Sequence, residues 1–139
     1  MYERVKPYEA KMDAESVQAK PIKILKDLEL LPFMTKADFH ENYPFGLFAV
    51  PRDELVRIHA SSGTPGKPTV VGYTSQDMDM WTDLVARVVC QAGVGKEDVA
   101  QVAFSYGLFT GGFGLHYGLE RVGAAVVPAS GGNTEKQFM

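Results

Sequence analysis

The segment from residue 61 to residue 68, SSGTPGKP, combines residue types that bind phosphate. Its small, hydroxyl-bearing and basic members are Ser61, Ser62, Gly63, Thr64, Gly66 and Lys67. The glycines permit close backbone approach and positive φ angles, and the hydroxyls and main-chain amides can donate to phosphate oxygens. The lysine adds a compact positive charge. The segment therefore predicts a phosphate-binding loop, with an ordinary turn between two strands as the alternative, because these residue types are also common in turns.

A Walker A loop is the competing phosphate-binding motif, and the sequence fits it poorly. That motif requires G-x-x-x-x-G-K-[ST] between a strand and a helix. Counting back from Gly66 and Lys67, the first glycine position holds Ser61, and Pro68 replaces the hydroxyl that would bind Mg²⁺. Because a strand is predicted to follow, phosphate binding would depend on loop amides, hydroxyls and Lys67.

Alternating strands and helices are predicted to position this loop. The predicted strands cover residues 55–60, 69–74, 99–105 and 124–128. The predicted helices cover 75–92, the stripe Leu115, Leu119 and Val122 that ends at Gly123, and a segment beginning near 133. The first of these helices has one apolar stripe, and Thr74 is placed to cap its start. Strands that alternate with helices in this way predict an α/β fold with a largely parallel sheet.

Residues 1–50 are predicted to form a helical lead-in to an α/β portion at 51–139. Thr35 and Asp38 have the spacing of a capping box for a short helix. Tyr43-Pro44 is expected to end that helix, because the residue before proline is driven out of the α region.

The composition excludes several classes of protein. The 139 residues include 14 basic and 17 acidic residues, and the net charge of -3 argues against a dedicated nucleic-acid binder. Cys90 is the single cysteine, so an internal disulfide and a CxxC metal site are both excluded. The charged N-terminus has no apolar signal-peptide core, and no apolar run approaches the ~18 residues of a membrane span. We therefore expect a cytoplasmic protein that does not bind membranes.

The phosphate-binding segment resembles a known family. It is similar to the [ST]-[ST]-G-[ST]-T-G-x-P loop of the adenylate-forming enzymes, and RIHASSGTPGKPTVVGYT at 57–74 resembles the phenylacetate-CoA ligases in particular. The segments at 30–39, 41–61, 106–124 and 128–137 resemble the same ligases, so the resemblance covers most of the chain. Pro65 departs from the family, which usually has threonine there, and its presence removes a hydroxyl and a main-chain donor.

The resemblance implies a two-step activation of an aryl-acetic acid. ATP and Mg²⁺ serve the first step, which forms an acyl-adenylate, and CoA serves the second, which forms the thioester. Six residues would hold the ATP phosphates, namely Ser61, Ser62, Gly63, Thr64, Gly66 and Lys67. Lys67 would act in catalysis through phosphate stabilisation alone. Four residues would line the aryl pocket, with core packing as the alternative for the aromatic ones, namely Phe104, Tyr106, Phe109 and Gly111.

None of the three histidines in the sequence is assigned to the expected active site. His116 is interpreted as structural, and His40 and His59 receive no functional interpretation. The family's adenine, ribose and Mg²⁺ motifs and its C-terminal lid are absent from the sequence, so we expect a piece of the N-terminal domain that is inactive alone and self-associates. The alternative is a non-catalytic, stand-alone α/β module that binds a nucleotide or a partner protein.

Overall fold

Helices and strands alternate along the chain in the computed structural model, which describes residues 3–17, 23–61, 66–132 and 134–138. The α-helices are α1 (Lys6–Ala14), α2 (Lys36–Glu41), α3 (Ser75–Gln91), α4 (Gly111–Val122) and α5 (Thr134–Gln137). The strands are β1 (Leu55–Ala60), β2 (Val70–Thr74), β3 (Val99–Gln101) and β4 (Ala125–Val127), and 3₁₀ helices span Leu25–Leu30 and Arg52–Glu54. The predicted α/β class is confirmed. Within the described part of the chain, no helix combines the length and apolar character needed to cross a bilayer.

The four strands form two separate pairs of opposite orientation. β1 and β2 are antiparallel, with Ala60 opposite Val70 and Ile58 opposite Gly72. β3 and β4 are parallel and lie on either side of α4 in sequence. Parallel neighbours need a crossover, which α4 provides, whereas the connection between β1 and β2, residues 61–69, is too short for one. The expected parallel pairing is therefore confirmed for β3 and β4, whereas β1 and β2 form an antiparallel hairpin.

Two helices begin at the predicted capping boxes. At the start of α3, the amide of Asp77 donates to Thr74 Oγ1 at 3.2 Å, and the amide of Thr74 donates to Asp77 Oδ2 at 2.9 Å. These reciprocal bonds satisfy main-chain donors that a helix start otherwise leaves unpaired. The hydrogen bonds from the Thr74 amide and hydroxyl also lower the pKa of the Asp77 carboxyl. At the start of α2, the amide and the hydroxyl of Thr35 donate to Asp38 Oδ2 at 2.6 and 2.9 Å.

The apolar core lies between α3, α4 and the parallel strand pair. Val89 of α3, Val102 after β3 and Leu119 of α4 form its buried centre. α4 packs closely on α3 at Gly114, where an added Cβ would lie only 2.7 Å from Trp81 Cζ2. Close helix packing thus depends on glycine.

Two predicted boundaries differ from the structure. The strand predicted at 99–105 ends at Gln101, and α4 begins at Gly111, before Leu115, the first residue of the predicted helical stripe. A Cβ at Gly112 would lie 2.7 Å from the carbonyl oxygen of Ser105, so the close fit of the helix start against that loop requires glycine. Tertiary packing here outweighs the low helix propensity of glycine.

Candidate functional site

The two ends of the predicted phosphate loop are closed by hydrogen bonds between Ser61 and Thr69. The amide of Ser61 donates to the Thr69 carbonyl at 2.9 Å, and the amide of Thr69 donates to Ser61 Oγ at 3.0 Å. Gly66 has a φ of +110°, which favours glycine, and no described residue lies within 4 Å of where a Cβ would stand. Ser62, Gly63 and Thr64 lie outside the described residues. The base of the loop is therefore fixed by the hairpin that carries it.

Lys67 lies on the same hairpin and contacts the lead-in region. Its ammonium nitrogen is 5.7 Å from the centroid of the Tyr43 ring, a cation–π geometry. Tyr43 follows α2 and is itself partly exposed to solvent. The lysine is exposed as well, so an anion at the loop can reach its charge without displacing a buried group.

Three of the four predicted aryl-pocket residues come together. A Cβ placed on Gly111 would lie 3.7 Å from Phe109 Cε1 and 3.8 Å from Phe104 Cδ1. The two phenylalanines are 58% and 60% exposed, so their rings are available to a ligand. Aromatic rings of this kind bind an aryl group through edge-to-face or offset stacked contacts. The arrangement offers an apolar, aromatic surface directly before α4.

Tyr106, the fourth predicted pocket residue, packs against α4. Its ring packs edge-to-face on Phe113 at 5.3 Å, and its hydroxyl is 3.1 Å from His116 Nδ1. The other ring nitrogen of His116 is 3.1 Å from Glu120 Oε1. Burial, and secondarily the charge of Glu120, raise the pKa of the Tyr106 phenol. Both nitrogens of His116 thus have protein partners, which supports its structural interpretation and places Tyr106 in the packing around α4.

The inner face of β1 carries two polar residues that the sequence interpretation left without a role. The Arg57 guanidinium lies 5.0 Å from the ring centroid of Phe113 and 4.8 Å from that of Tyr117, and its Nη2 donates to the Tyr117 hydroxyl at 3.0 Å. His59 is 3% exposed and points to the same side of the strand. Alternation of side chains along a strand was the available signal, since residues two apart share a face.

A main-chain carbonyl connects β1 to the aromatic segment. His59 Nδ1 lies 2.8 Å from the carbonyl oxygen of Leu108, and the amide of Ala60 donates to the same oxygen at 3.0 Å. Leu108 immediately precedes Phe109, and Ala60 immediately precedes Ser61. The predicted phosphate loop and the predicted aryl pocket are therefore joined through one carbonyl group.

Curated relatives match nearly the whole chain. It is 54% identical over 137 residues to a phenylacetate-coenzyme A ligase of Aromatoleum evansii, which covers 99% of this chain and 31% of that protein. It is 56% identical over 136 residues to the phenylacetate-coenzyme A ligase of Escherichia coli, covering 98% of this chain and 31% of the relative. The ligase of the same name from Thermus thermophilus is 52% identical over 139 residues. The chain thus spans about a third of the length of these relatives. No protein-family model matches the sequence.

Solved structures share the fold. A 2-hydroxyisobutyryl-CoA ligase in the postadenylation state, in complex with 2-HIB-AMP, superposes with a TM-score of 0.80 at 29% identity over 94% of this chain and 28% of the solved chain. The same ligase with 2-HIB-AMP and CoA in the thioesterification state gives a TM-score of 0.82 at 30% identity over 94% of this chain and 29% of its own. Sequence and fold together identify this chain as a homologue of one segment, about a third in length, of the phenylacetate-coenzyme A ligases.

Proposed function

We propose that this chain supplies the phosphate-binding and acid-binding part of an enzyme that converts an aryl-acetic acid into its CoA thioester through an acyl-adenylate. The observation that carries the proposal is the identity of 54% and 56% to phenylacetate-coenzyme A ligases over almost the entire chain. Phenylacetate is the first substrate to test. The cell compartment proposed is the cytoplasm, and the pathway proposed is the breakdown of phenylacetate.

The loop residues serve the first of two chemical steps. In that step a carboxylate oxygen of the acid attacks the α-phosphorus of ATP, and the bond to the departing pyrophosphate breaks. Catalysis of phosphoryl and nucleotidyl transfer rests largely on positioning and electrostatic stabilisation. Lys67, the loop amides and the hydroxyls of the Ser61–Thr64 segment would stabilise the departing pyrophosphate. In the second step the CoA sulfur attacks the acyl carbon and AMP leaves.

The aromatic segment would hold the acid. Phe104 and Phe109 present rings that are more than half exposed beside Gly111. The aryl ring of the substrate would stack against them and direct its carboxylate toward the loop. Tyr106 would act indirectly, by supporting this segment from the side of α4 through its contacts with Phe113 and His116.

The proposed first step uses Mg²⁺ together with ATP. Within the described ranges, no group of three or more His, Cys, Asp or Glu side chains is arranged to hold a metal ion. Mg²⁺ is bound through carboxylates and substrate phosphates. Any Mg²⁺ in the reaction would be bound by the ATP phosphates together with one or two carboxylates.

Grafting tests the proposed function directly. The matching third of the Escherichia coli relative is replaced with this chain, and phenylacetate-dependent exchange of pyrophosphate into ATP is measured. We expect exchange that requires both ATP and phenylacetate. Parallel assays with 2-hydroxyisobutyrate separate an aryl-acid pocket from one that accepts small hydroxy acids.

The matched control is the same graft with Lys67→Ala. A grafted protein that is folded and monodisperse, yet shows no acid-dependent exchange above the Lys67→Ala background, would contradict the proposal. Nucleotide binding without exchange would instead support a non-catalytic nucleotide-binding module.

A further inference from the structure

His59 is a buried polar side chain immediately beside the phosphate loop. It is 3% exposed, and the loop begins two residues later at Ser61. The rings of Tyr73, Trp81 and Phe113 lie around it, with centroid distances of 5.6, 5.9 and 6.1 Å. Burial of a polar ring among aromatic groups is unfavourable unless the ring is hydrogen-bonded. Its position therefore depends on the bond that it makes.

That bond goes to the carbonyl oxygen of Leu108. Because a carbonyl oxygen can only accept, Nδ1 carries the proton and donates it across the 2.8 Å separation. The amide of Ala60 donates to the same oxygen at 3.0 Å, so both lone pairs of the Leu108 carbonyl are used. Two consecutive residues of β1 thus hold one carbonyl group.

Leu108 lies in an irregular segment that precedes α4. The stretch from 102 to 110 forms neither helix nor strand, and the side chain of Leu108 is 68% exposed. Burial of its own side chain therefore cannot fix its place. The bonds to its carbonyl fix both Leu108 and the adjacent Phe109, which belongs to the aromatic surface of the candidate acid pocket.

We propose that His59 is a positioning residue for adenylate formation and that it fixes the distance between the phosphate loop and the acid-binding segment. This inference rests on the proposed function, because it assigns phosphate to one end of the contact and acid to the other. Attack on the α-phosphorus needs the reacting atoms about 3–3.5 Å apart, and a misplacement of about 1 Å can slow such a reaction by roughly 10²-fold. A single hydrogen-bonded carbonyl between the two binding elements sets that distance.

Two amide variants separate the bond from the bulk of the ring. His59→Asn places an amide donor near the position of Nδ1, whereas His59→Gln places it farther out, near Nε2. His59→Leu removes the donor and keeps an apolar side chain of similar size. A structural role in packing alone would treat Asn and Gln alike, whereas the positioning role requires that Asn preserves the link and Gln loses it.

The test uses nuclear magnetic resonance on the complete 139-residue chain, with inorganic pyrophosphate as the probe. In the native chain we expect the His59 imidazole to be protonated at Nδ1. Pyrophosphate should shift the amide resonances of Gly66 and Lys67 and also those of Leu108 and Phe109. His59→Asn should keep both responses. His59→Gln and His59→Leu should keep the loop response, lose the Leu108 and Phe109 response, and speed amide exchange at Ala60 by about tenfold.

The outcomes distinguish this inference from the function on which it rests. If pyrophosphate shifts neither Gly66 nor Lys67, the phosphate site is wrong and both proposals fall. If the loop responds but Leu108 and Phe109 do not, or if they respond equally in all variants, the positioning role alone is overturned. A native imidazole protonated at Nε2 and not at Nδ1 also overturns it, and that measurement needs no variant to fold.

Discussion

Replacement of Gly118 with alanine tests how α4 is packed against α3. A Cβ at this position would lie 2.8 Å from Val85 Cβ and 3.1 Å from the main-chain nitrogen of Ala86, with Val85 Cγ1 closer still. These atoms belong to the main chain of α3 or to a β-branched side chain that a helix restricts to one rotamer. No rotation of a flexible group relieves the clash, so the two helices must move apart.

The expected cost is the difference between two opposing effects. Overpacking of a close-packed site costs ~1–3 kcal/mol, and the rigidity of the neighbours places Gly118→Ala at the upper end. Alanine in place of glycine in a helix interior recovers about 1 kcal/mol. We expect a net loss of ~2 kcal/mol in the free energy of unfolding, which lowers Tm by roughly 6–10 °C for a chain of this size.

Gly111→Ala is the matched control in the same helix. A Cβ there would meet the flexible rings of Phe109 and Phe104 at 3.7 and 3.8 Å, which is ordinary contact, and we expect a change within about 0.5 kcal/mol. Thermal and urea unfolding of both variants measure the difference. In a Val85→Ala background, Gly118→Ala should cost at least ~1 kcal/mol less than in the native chain. Equal stability of the Gly118 and Gly111 variants would refute the packing argument.

Three further predictions concern the loop, the lead-in and the surface. In the grafted ligase, Lys67→Ala should slow adenylate formation by an amount equivalent to ~2–4 kcal/mol in the transition state. Thioester formation from supplied adenylate should be unaffected, because pyrophosphate has left by then, and single-turnover kinetics of both steps check this. Bonds from Lys11 and then Thr35 lower the pKa of Asp38 from 3.8 to about 2. The ionised form of Asp38 therefore stabilises the fold above pH 3.8, and that stabilisation is lost as the pH falls toward 2. Asp38→Asn should lower Tm at neutral pH and have little effect near pH 2. Leu25 and Phe33 are 85% and 90% exposed, and such apolar surface favours self-association of the isolated chain. Sedimentation at micromolar concentration measures it, and a stable monomer would contradict the prediction.

Local signals made the elements around the loop predictable. Strand β1 and helix α3 were predicted to within a residue, because β1 is bounded by turn residues and α3 has both an apolar stripe and a capping residue at Thr74. The antiparallel orientation of the hairpin was not predicted, although the length of the connection indicates it, since residues 61–69 are too few for a crossover between parallel strands. These features depend on residues that are close together in sequence, so the local sequence pattern predicts them.

Contacts between distant residues were not predictable in the same way. The contact of the Tyr106 hydroxyl with His116 of α4 was not predicted. His59 received no role, because the Leu108 carbonyl that it binds is 49 residues away in sequence. The start of α4 at Gly111 was not predicted, because the glycines of α4 allow close packing against α3 and the Ser105 loop. Local helix propensity does not indicate such packing.

α4 relates the two halves of the candidate site to one another through two adjacent faces. Gly114 and Gly118 are four residues apart and pack on α3. Phe113 and Tyr117 are also four residues apart, and their rings contact the Arg57 guanidinium of β1. Successive residues of a helix are rotated by about 100°, so these two pairs form neighbouring stripes. A shift of α4 away from α3 would therefore carry the aromatic stripe away from β1 and strain the bonds that β1 makes to Leu108. In the grafted ligase, Gly118→Ala should consequently slow adenylate formation more than its loss of stability explains at temperatures where the protein stays folded.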